Sequence, residues 1–111
     1  MEIKVGTDLI NVSEFKNQIN DKRFVERIFN SQELKNSNAQ SLAGKFAVKE
    51  AFFKATQIRI KKWKEIMVVN NKGKPEIKFD PKLIKQKIVS LDISISHTEE
   101  VALAVVGILV D

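Results

Sequence analysis

The sequence predicts an α+β fold in which an antiparallel sheet packs on one long helix. Residues 39–57 form the longest helical pattern, with no proline and a single glycine, Gly44. Two β-rich runs surround the turn residues 70–73, and two apolar strands, 91–97 and 100–110, close the chain. Because short turns join strands that pair antiparallel, we expect the sheet to be antiparallel, with the long helix against it.

The first third of the chain is predicted to hold one strand and several short helices. Residues 2–7 alternate polar and apolar side chains, which predicts a strand that ends at its glycine. Apolar residues recur at near-helical spacing from 9 to 19, so a helix is expected there. The segments 22–29 and 31–34 predict two further short helices, and Ser31 is the expected N-cap of the second.

The elements after the long helix are predicted from their turn residues. The run 65–79 is the clearest hairpin, and Pro75 is tolerable because it lies near the start of the second strand. Asp80 followed by Pro81 is typical of an N-cap and the first residue of a helix, so a short helix is expected to begin there.

The composition is that of an ordinary globular protein, and its length fits one domain over residues 1–111. Hydrophobic residues make up 43% of the chain and charged residues 30%. No apolar run reaches about 18 residues, and the start of the chain does not resemble a signal peptide, so the cytoplasm is the expected location. The absence of cysteine excludes disulfides, and the single histidine excludes zinc sites built from several imidazoles. The net charge of +5 favours an acidic partner.

The long helix carries an acid and a base on a side that is otherwise small. One arc of the helical wheel holds Ala43, Ala47, Glu50, Ala51 and Lys54, and the neighbouring, core-facing arc holds Leu42, Phe46 and Phe53. Small side chains allow another backbone or a ligand to approach closely. The alternative is an ordinary surface Glu50–Lys54 pair, worth about 0.2–0.5 kcal/mol. Lys49 falls on a different arc and is expected to be solvated or paired.

Two residues at predicted strand ends are further candidates for a site. Asp8 follows the first strand, where carboxylates often face a site, although it could instead cap the helix that follows. His97 ends the strand 91–97, on the face opposite to Ser94 and Ser96. The alternative for His97 is a structural role.

Five segments, taken in order, resemble one known family. They are VGTDLINV, FNSQEL, LAGKFAVKEAFFKA, WKEIMVVNNKGKPEI and SISHTEEVALAVV. Together they are similar to holo-acyl-carrier-protein synthases, the small bacterial type of 4′-phosphopantetheinyl transferase, and the likeness runs over nearly the whole chain. The most specific pieces are G-x-D after the first strand and F-[AS]-x-K-E-[AS]-x-x-K-A on the long helix, supported by S-[IL]-[ST]-H.

The resemblance implies the fold of that family and its reaction. The phosphopantetheine arm of coenzyme A would move to a serine of an apo acyl carrier protein, releasing adenosine 3′,5′-bisphosphate, in the service of fatty acid biosynthesis. Asp8, Glu50 and Lys54 are the implied catalytic residues, and Asp8 and Glu50 the implied Mg²⁺ ligands. Mg²⁺ takes one or two carboxylates and leaves its other positions to water and phosphate oxygens, so two acids are the right count.

The resemblance also implies the contacts with coenzyme A. They are Lys45, Lys54, Ser96 and His97. Relatives carry a glycine-rich turn after the long helix, which this chain lacks. Basic side chains could replace its phosphate contacts: Arg59, Lys61 and Lys62.

The resemblance also implies a homotrimer, because the family assembles in that form.

The acidic carrier protein is expected to meet a basic surface. Arg23 and Arg27, with Lys22 beside them, stand where relatives present arginines to the carrier. Glu14 departs from the pattern because relatives carry arginine there, so either Lys16 compensates or the partner differs.

Two other readings stay open from the sequence. Residues 59–64 interleave Trp63 with bases, and residues 72–87 hold six lysines, a pattern that a nucleic-acid-binding module would share. A degenerate transferase kept as an interaction partner is the second alternative.

Overall fold

The computed structural model describes residues 1–59 and 62–111, so the phosphate contact expected from Lys61 lies outside the described residues. The strands are β1 (Glu2–Asn11), β2 (Met67–Asn71), β3 (Lys74–Lys78), β4 (Ile88–His97) and β5 (Val101–Val110). The α-helices are α1 (Val12–Gln18), α2 (Lys22–Ile28), α3 (Ser31–Leu34) and α4 (Ala39–Thr56). Single turns of 3₁₀ helix span Trp63–Glu65 and Pro81–Leu83. Within the described ranges, no helical segment combines the length and hydropathy that crossing a bilayer requires.

The strands form two antiparallel sheets. β5 lies at the centre of a three-stranded sheet, with β1 on one side and β4 on the other. β2 and β3 form a separate hairpin. Helix α4 packs against one face of the three-stranded sheet, in contact with β1, β4 and β5. The predicted α+β class, with an antiparallel sheet on one long helix, is confirmed.

Side-chain alternation gives the three-stranded sheet a buried inner face and an exposed outer face. On the inner face, Ala102, Ala104, Val106 and Ile108 of β5 are at most 1% exposed beneath α4. The outer face carries apolar side chains that stay exposed in the single chain: Ile3, Val5, Leu9, Leu103 and Val105. Contiguous exposed apolar area of this kind marks an interaction surface.

Helix α4 supplies much of the core. Leu42, Phe46 and Phe53 are no more than 8% exposed, as the helical wheel predicted. The Trp63 ring packs with its centroid 5.2 Å from that of Phe46 and 5.3 Å from that of Phe53. Trp63 is thus partly buried in the core, which makes it less available for stacking on a nucleic-acid base than a fully exposed aromatic ring.

Helix α4 and strand β1 approach closely at Gly6. A β-carbon built on Gly6 would lie 1.9 Å from the carbonyl oxygen of Ala51 and 2.8 Å from the backbone nitrogen of Ala55. Both atoms belong to the helix backbone, so no side-chain rotation could make room. The prediction that a second backbone could approach the small arc of α4 is therefore confirmed.

A buried ion pair joins α3 to α4. Lys49 Nζ lies 2.8 Å from Glu33 Oε1, and neither side chain has exposed area. Lys49 also donates to the carbonyl oxygen of Ile28, while the Val68 N–H donates to Glu33 Oε2 at 2.9 Å. The expected pairing of Lys49 is confirmed, but it lies in the interior rather than at the surface.

Strand β1 is longer than predicted, and this changes the place of Asp8. The strand continues past Gly6 because its next residues pair with β5. Asp8 therefore lies within the strand. Asn11 caps α1 by accepting a hydrogen bond from the Glu14 N–H at 3.0 Å, and the helix begins at Val12. The alternative that Asp8 is the N-cap is wrong.

Other boundaries follow the predicted turn residues closely. Helix α3 begins at Ser31, but its N-cap is Asn30 rather than Ser31. The hairpin turns at Lys72 and Gly73, whose φ angles of 52° and 87° are the left-handed values that a type I′ turn requires. Asp80 caps the 3₁₀ turn after β3, as predicted, although that turn is shorter than the expected helix.

We expect Gly6→Ala to lower the free energy of unfolding by about 2–3 kcal/mol, because the new methyl group must push α4 away from β1. Urea denaturation would measure the change. Gly44→Ala is the matched control, since its β-carbon would meet only side-chain atoms, the nearest being the Cγ2 methyl of Ile95 at 3.0 Å, and no backbone atom. Its cost should stay within about 1 kcal/mol, because alanine favours the helix. Equal effects of the two substitutions would contradict the close approach at Gly6.

Candidate active site

Asp8 and Lys54 form an ion pair where β1 meets α4. Asp8 follows Gly6 by two residues, so it lies on the inner face of β1. Lys54 Nζ lies 2.9 Å from Asp8 Oδ1 and donates to the carbonyl oxygen of Thr7 at 3.1 Å. The Lys54 side chain is 56% exposed and that of Asp8 only 10%. The ammonium group therefore stands on the solvent side of a nearly buried carboxylate.

Among the described residues, the second oxygen of Asp8 has no hydrogen-bond partner. Oδ2 is buried, and no group of the described residues donates a hydrogen bond to it. Leaving a buried polar atom unpaired costs about 1–3 kcal/mol, and more for a charged group. A metal ion would satisfy such an atom, because it supplies positive charge where no N–H or O–H reaches.

Glu50 brings a second carboxylate to this place. Burial raises the pKa of Glu50, and the negative charge of Asp8 raises it further, while Lys54 lowers it. Asp8 and Glu50 are thus close enough to repel each other. An open cleft of about 290 Å³ is lined by Glu50, Phe53, Lys54, Gln57 and Ile58. Since Lys54 pairs with Asp8, the alternative of a simple surface Glu50–Lys54 pair does not describe this arrangement.

The donors around this cleft suit a divalent cation that prefers oxygen. The described residues contain no group of three or more His, Cys, Asp or Glu side chains placed to hold a metal. Asp8 and Glu50 therefore offer two carboxylates and nothing more. Mg²⁺ binds through one or two carboxylates and keeps its other positions for water and phosphate oxygens, so this pair fits it.

A second cleft, of about 230 Å³, lies between α4, the hairpin and the end of β4. Its polar lining consists of Gln40, Ser41, Lys45, Asn70 and His97. The Gln40 side chain donates to the carbonyl oxygen of Thr98 at 3.1 Å, which ties the start of α4 to the turn after β4. Lys45 and His97, both predicted as contacts for coenzyme A, thus lie in one cleft.

Ser96 and His97 point to opposite faces of the sheet. His97 shares the inner face with Ile95, as alternation predicted, and both line the second cleft. Ser96 is exposed and stands opposite Leu103, on the outer face. Ser96 is therefore not among the residues that line the second cleft.

The two clefts belong to opposite edges of the three-stranded sheet. Asp8 lies on β1 and His97 on β4, with β5 between them. Neighbouring strands are about 4.8 Å apart, so the two edge strands are separated by about 10 Å. The structure brings Asp8, Glu50 and Lys54 together, and separately Lys45 with His97, but it does not join the two sets in one cleft.

Several lining residues were missed from the sequence. Ser41 lies one turn before Lys45, and Gln57 three residues after Lys54, so helical spacing could have found both. Gln57 ends α4 with a left-handed φ of 59°, a position that usually takes glycine. No sequence signal points to Asn70, because the hairpin reaches the cleft only through the fold.

Charged side chains predicted to meet the substrates or the partner lie at the surface. The exposed basic residues of α2 are Lys22, Arg23 and Arg27. Glu14 is exposed on α1. Arg59 and Lys62, after α4, are also exposed.

Comparisons with known proteins agree with the expected family. Residues 4–106 match the family described as the 4′-phosphopantetheinyl transferase superfamily. The chain is 38% identical to a holo-[acyl-carrier-protein] synthase of Treponema denticola, covering 96% of this chain and 97% of that protein. It is 36% identical to a holo-[acyl-carrier-protein] synthase of Clostridium tetani, covering 94% of this chain and 93% of that protein.

The fold is similar to that of solved structures as well. The holo-[acyl-carrier-protein] synthase of Helicobacter pylori, solved in complex with coenzyme A, superposes with a TM-score of 0.81 at 30% identity. The superposition covers 96% of this chain and 99% of that one. The resemblance seen in the sequence is therefore confirmed, and the chain belongs to the 4′-phosphopantetheinyl transferase superfamily.

Proposed function

We propose that the chain is a holo-[acyl-carrier-protein] synthase, which transfers the 4′-phosphopantetheine arm of coenzyme A to a serine of an apo acyl carrier protein. Adenosine 3′,5′-bisphosphate is the other product. The observation that carries the proposal is the meeting of Asp8, Glu50 and Lys54 where β1 approaches α4, within a chain whose residues 4–106 match the family. Residues 1–111 act as one transferase domain in the cytoplasm, where they serve fatty acid biosynthesis.

Asp8 and Glu50 are the proposed Mg²⁺ ligands. The unpartnered Oδ2 of Asp8 and the raised pKa of Glu50 both support a cation between the two carboxylates. When bound, Mg²⁺ would neutralise negative charge on the pyrophosphate of coenzyme A. The other oxygen of Asp8 holds Lys54 beside the same place.

Lys54 is the proposed stabiliser of the reacting phosphates. The serine hydroxyl of the carrier gives up its proton to water, its oxygen forms a bond to the phosphorus next to pantetheine, and the bond from that phosphorus to the adenosine bisphosphate breaks. Negative charge grows on the leaving oxygen, and a fixed ammonium group beside it lowers the barrier. Because the Lys54 side chain is 56% exposed, it can contact a phosphate without a backbone change.

Lys45 and His97 are the proposed contacts for the nucleotide end of coenzyme A. The molecule carries a pyrophosphate and a separate 3′-phosphate. Since the pyrophosphate is assigned to Asp8, Glu50 and Lys54, the 3′-phosphate is left for Lys45 in the second cleft. Ser96 is not proposed as a contact there, because its side chain lies on the outer face of the sheet, away from this cleft.

A homotrimer would bring the two kinds of cleft together. One chain keeps them at opposite edges of its sheet, and coenzyme A needs both. The exposed apolar outer face is suited to burial between subunits. We propose that the cleft of Glu50 and Lys54 in one subunit is completed by the Lys45 cleft of its neighbour.

The acidic carrier protein is proposed to dock on α1 and α2. The exposed Arg23 and Arg27 provide positive charge, and rim charges of this kind chiefly raise the association rate and set orientation. Glu14 on α1 opposes them, so the docking surface of this chain is weaker than an all-basic one.

We expect Glu50→Gln to lower turnover about 100-fold or more while the chain keeps its fold, because the metal site loses a charged ligand but not its shape. The assay incubates the protein with coenzyme A, Mg²⁺ and an apo carrier protein, and reads the gain in carrier mass. Glu65→Gln, at an exposed acid outside the cleft, is the control. Near-normal turnover by Glu50→Gln would refute the metal assignment, and no mass gain by the unmodified chain with several carriers would refute the transferase itself.

Two opposite charge changes on α1 test carrier docking. Glu14→Arg should raise kcat/KM for an acidic carrier about two- to tenfold at low salt, and Lys16→Glu should lower it, because both side chains are exposed on the same helix. Both effects should shrink in high salt. If neither substitution changes kcat/KM, the carrier does not dock on this helix.

Leu103→Asp should dissociate the homotrimer, because it places a charge at the centre of the apolar outer face. Light scattering would show the fall in molar mass, and circular dichroism would check that the chain remains folded. Transferase activity should fall together with the mass. A folded, fully active monomer would exclude a site completed by a neighbouring subunit.

A further inference from the structure

The ammonium group of Lys45 is held by two neutral oxygens that the transferase reaction does not use. Lys45 Nζ donates to the carbonyl oxygen of Glu33 at 2.7 Å and to Ser37 Oγ at 2.9 Å. The Ser37 hydroxyl donates in turn to the same Glu33 carbonyl oxygen, at 2.7 Å. Because the Ser37 hydroxyl donates its single proton to the carbonyl oxygen, it accepts the hydrogen bond from Lys45 through a lone pair. The three groups form a closed triangle beside the second cleft.

One corner of this triangle is fixed by the protein interior. Glu33 is buried, and its Oε1 accepts from Lys49 Nζ at 2.8 Å and from the Asn30 N–H at 2.9 Å. Its Oε2 accepts from the Val68 N–H at 2.9 Å, which attaches α3 to β2. Because both carboxylate oxygens of Glu33 accept hydrogen bonds, the residue is held in place and its backbone carbonyl is a rigid acceptor for Lys45.

The triangle restrains a side chain that is otherwise very mobile. A free lysine loses about 1.5–2 kcal/mol of rotamer entropy when it is ordered, and ordering it before the ligand arrives removes that cost from binding. An ammonium group has three N–H donors. Two are used in the triangle, which leaves the third for a ligand in the cleft that Lys45 shares with His97.

Holding the ammonium with neutral oxygens also preserves its charge for an anion. No carboxylate oxygen contacts Lys45 Nζ among the described residues, since Glu33 presents its carbonyl there and turns its carboxylate to Lys49. Partial burial lowers the pKa of Lys45, and the nearby Glu33 charge opposes that shift. A phosphate would therefore bind a half-buried ammonium group. Among the described residues, no carboxylate forms an ion pair with that group.

We infer that Ser37 is a positioning residue for coenzyme A: its hydroxyl, with the Glu33 carbonyl, aims the Lys45 ammonium at the 3′-phosphate. The inference rests on the proposed function, which assigns that phosphate to Lys45. Ser37 itself does not line the cleft and acts through the lysine. Its loss should weaken recognition of the 3′-phosphate and leave the chemistry at the pyrophosphate unchanged.

The test compares coenzyme A with 3′-dephospho-coenzyme A in the mass-gain assay on an apo carrier protein. Ser37→Ala should raise KM for coenzyme A about three- to tenfold with kcat nearly unchanged, as expected for the net loss of one ordinary hydrogen bond, since Ser37 acts on the ligand only through Lys45. KM for the dephospho analogue should not change. Ser37→Thr keeps the hydroxyl and should behave like the unmodified chain. Ser31→Ala, at the exposed serine that begins α3, is the matched control.

The outcomes separate this inference from the proposed function. Lys45→Ala should lose the preference for coenzyme A over its dephospho analogue, and if it keeps that preference, the assignment of Lys45 is wrong. If Lys45→Ala loses the preference but Ser37→Ala keeps it in full, the positioning role is wrong. If Ser37→Ala raised KM equally for both substrates, or lowered kcat, Ser37 would have only a structural role. Should Ser37→Ala fold poorly, Ser37→Cys serves for the same comparison, since it keeps the shape and offers only a weak acceptor.

Discussion

The absence of a side chain at Gly6 is the constraint on which the proposed site depends. It lets the backbone of α4 touch the backbone of β1 at Ala51. Asp8 stands two residues further along the strand on the same face, and Glu50 and Lys54 stand on either side of Ala51 along the helix. Two acids and a base from distant segments therefore lie close together because one strand position lacks a side chain. If an ordinary side chain filled the space between the helix and the strand, Asp8 and Glu50 would lie too far apart to hold one ion.

A second organising interaction lies on the other side of α4. The buried Glu33–Lys49 pair connects α3, α4 and the hairpin, and its remaining hydrogen-bonding positions are filled by backbone groups. These hydrogen bonds are needed, because a buried charge that loses its partner strongly destabilises the fold. The same pair fixes the carbonyl that holds Lys45. One close backbone contact thus shapes the site of Asp8, Glu50 and Lys54, and one buried ion pair shapes the edge of the second cleft.

Local signals were enough for most of the fold but not for the surroundings of the site. Periodicity and turn residues predicted α4, the hairpin and the last two strands, since each is defined by its own sequence. Gly6 was misread as the end of a strand, because a glycine that admits a neighbouring backbone looks the same in sequence as one that ends an element. Lys49 gave no sign of its burial, since its partner Glu33 lies 16 positions away along the chain. The pairing of Asp8 with Lys54 likewise required the fold.

The close fit at Gly6 bears on how such a sequence can vary under selection. Gly6 touches no substrate in the proposed reaction, yet a larger residue there would separate the groups that do. Such a residue would need compensating shifts in α4, so drift at this position is coupled to drift in the helix. A glycine retained here would reflect clearance rather than chemistry, and its retention alone would not identify a residue that contacts the ligand.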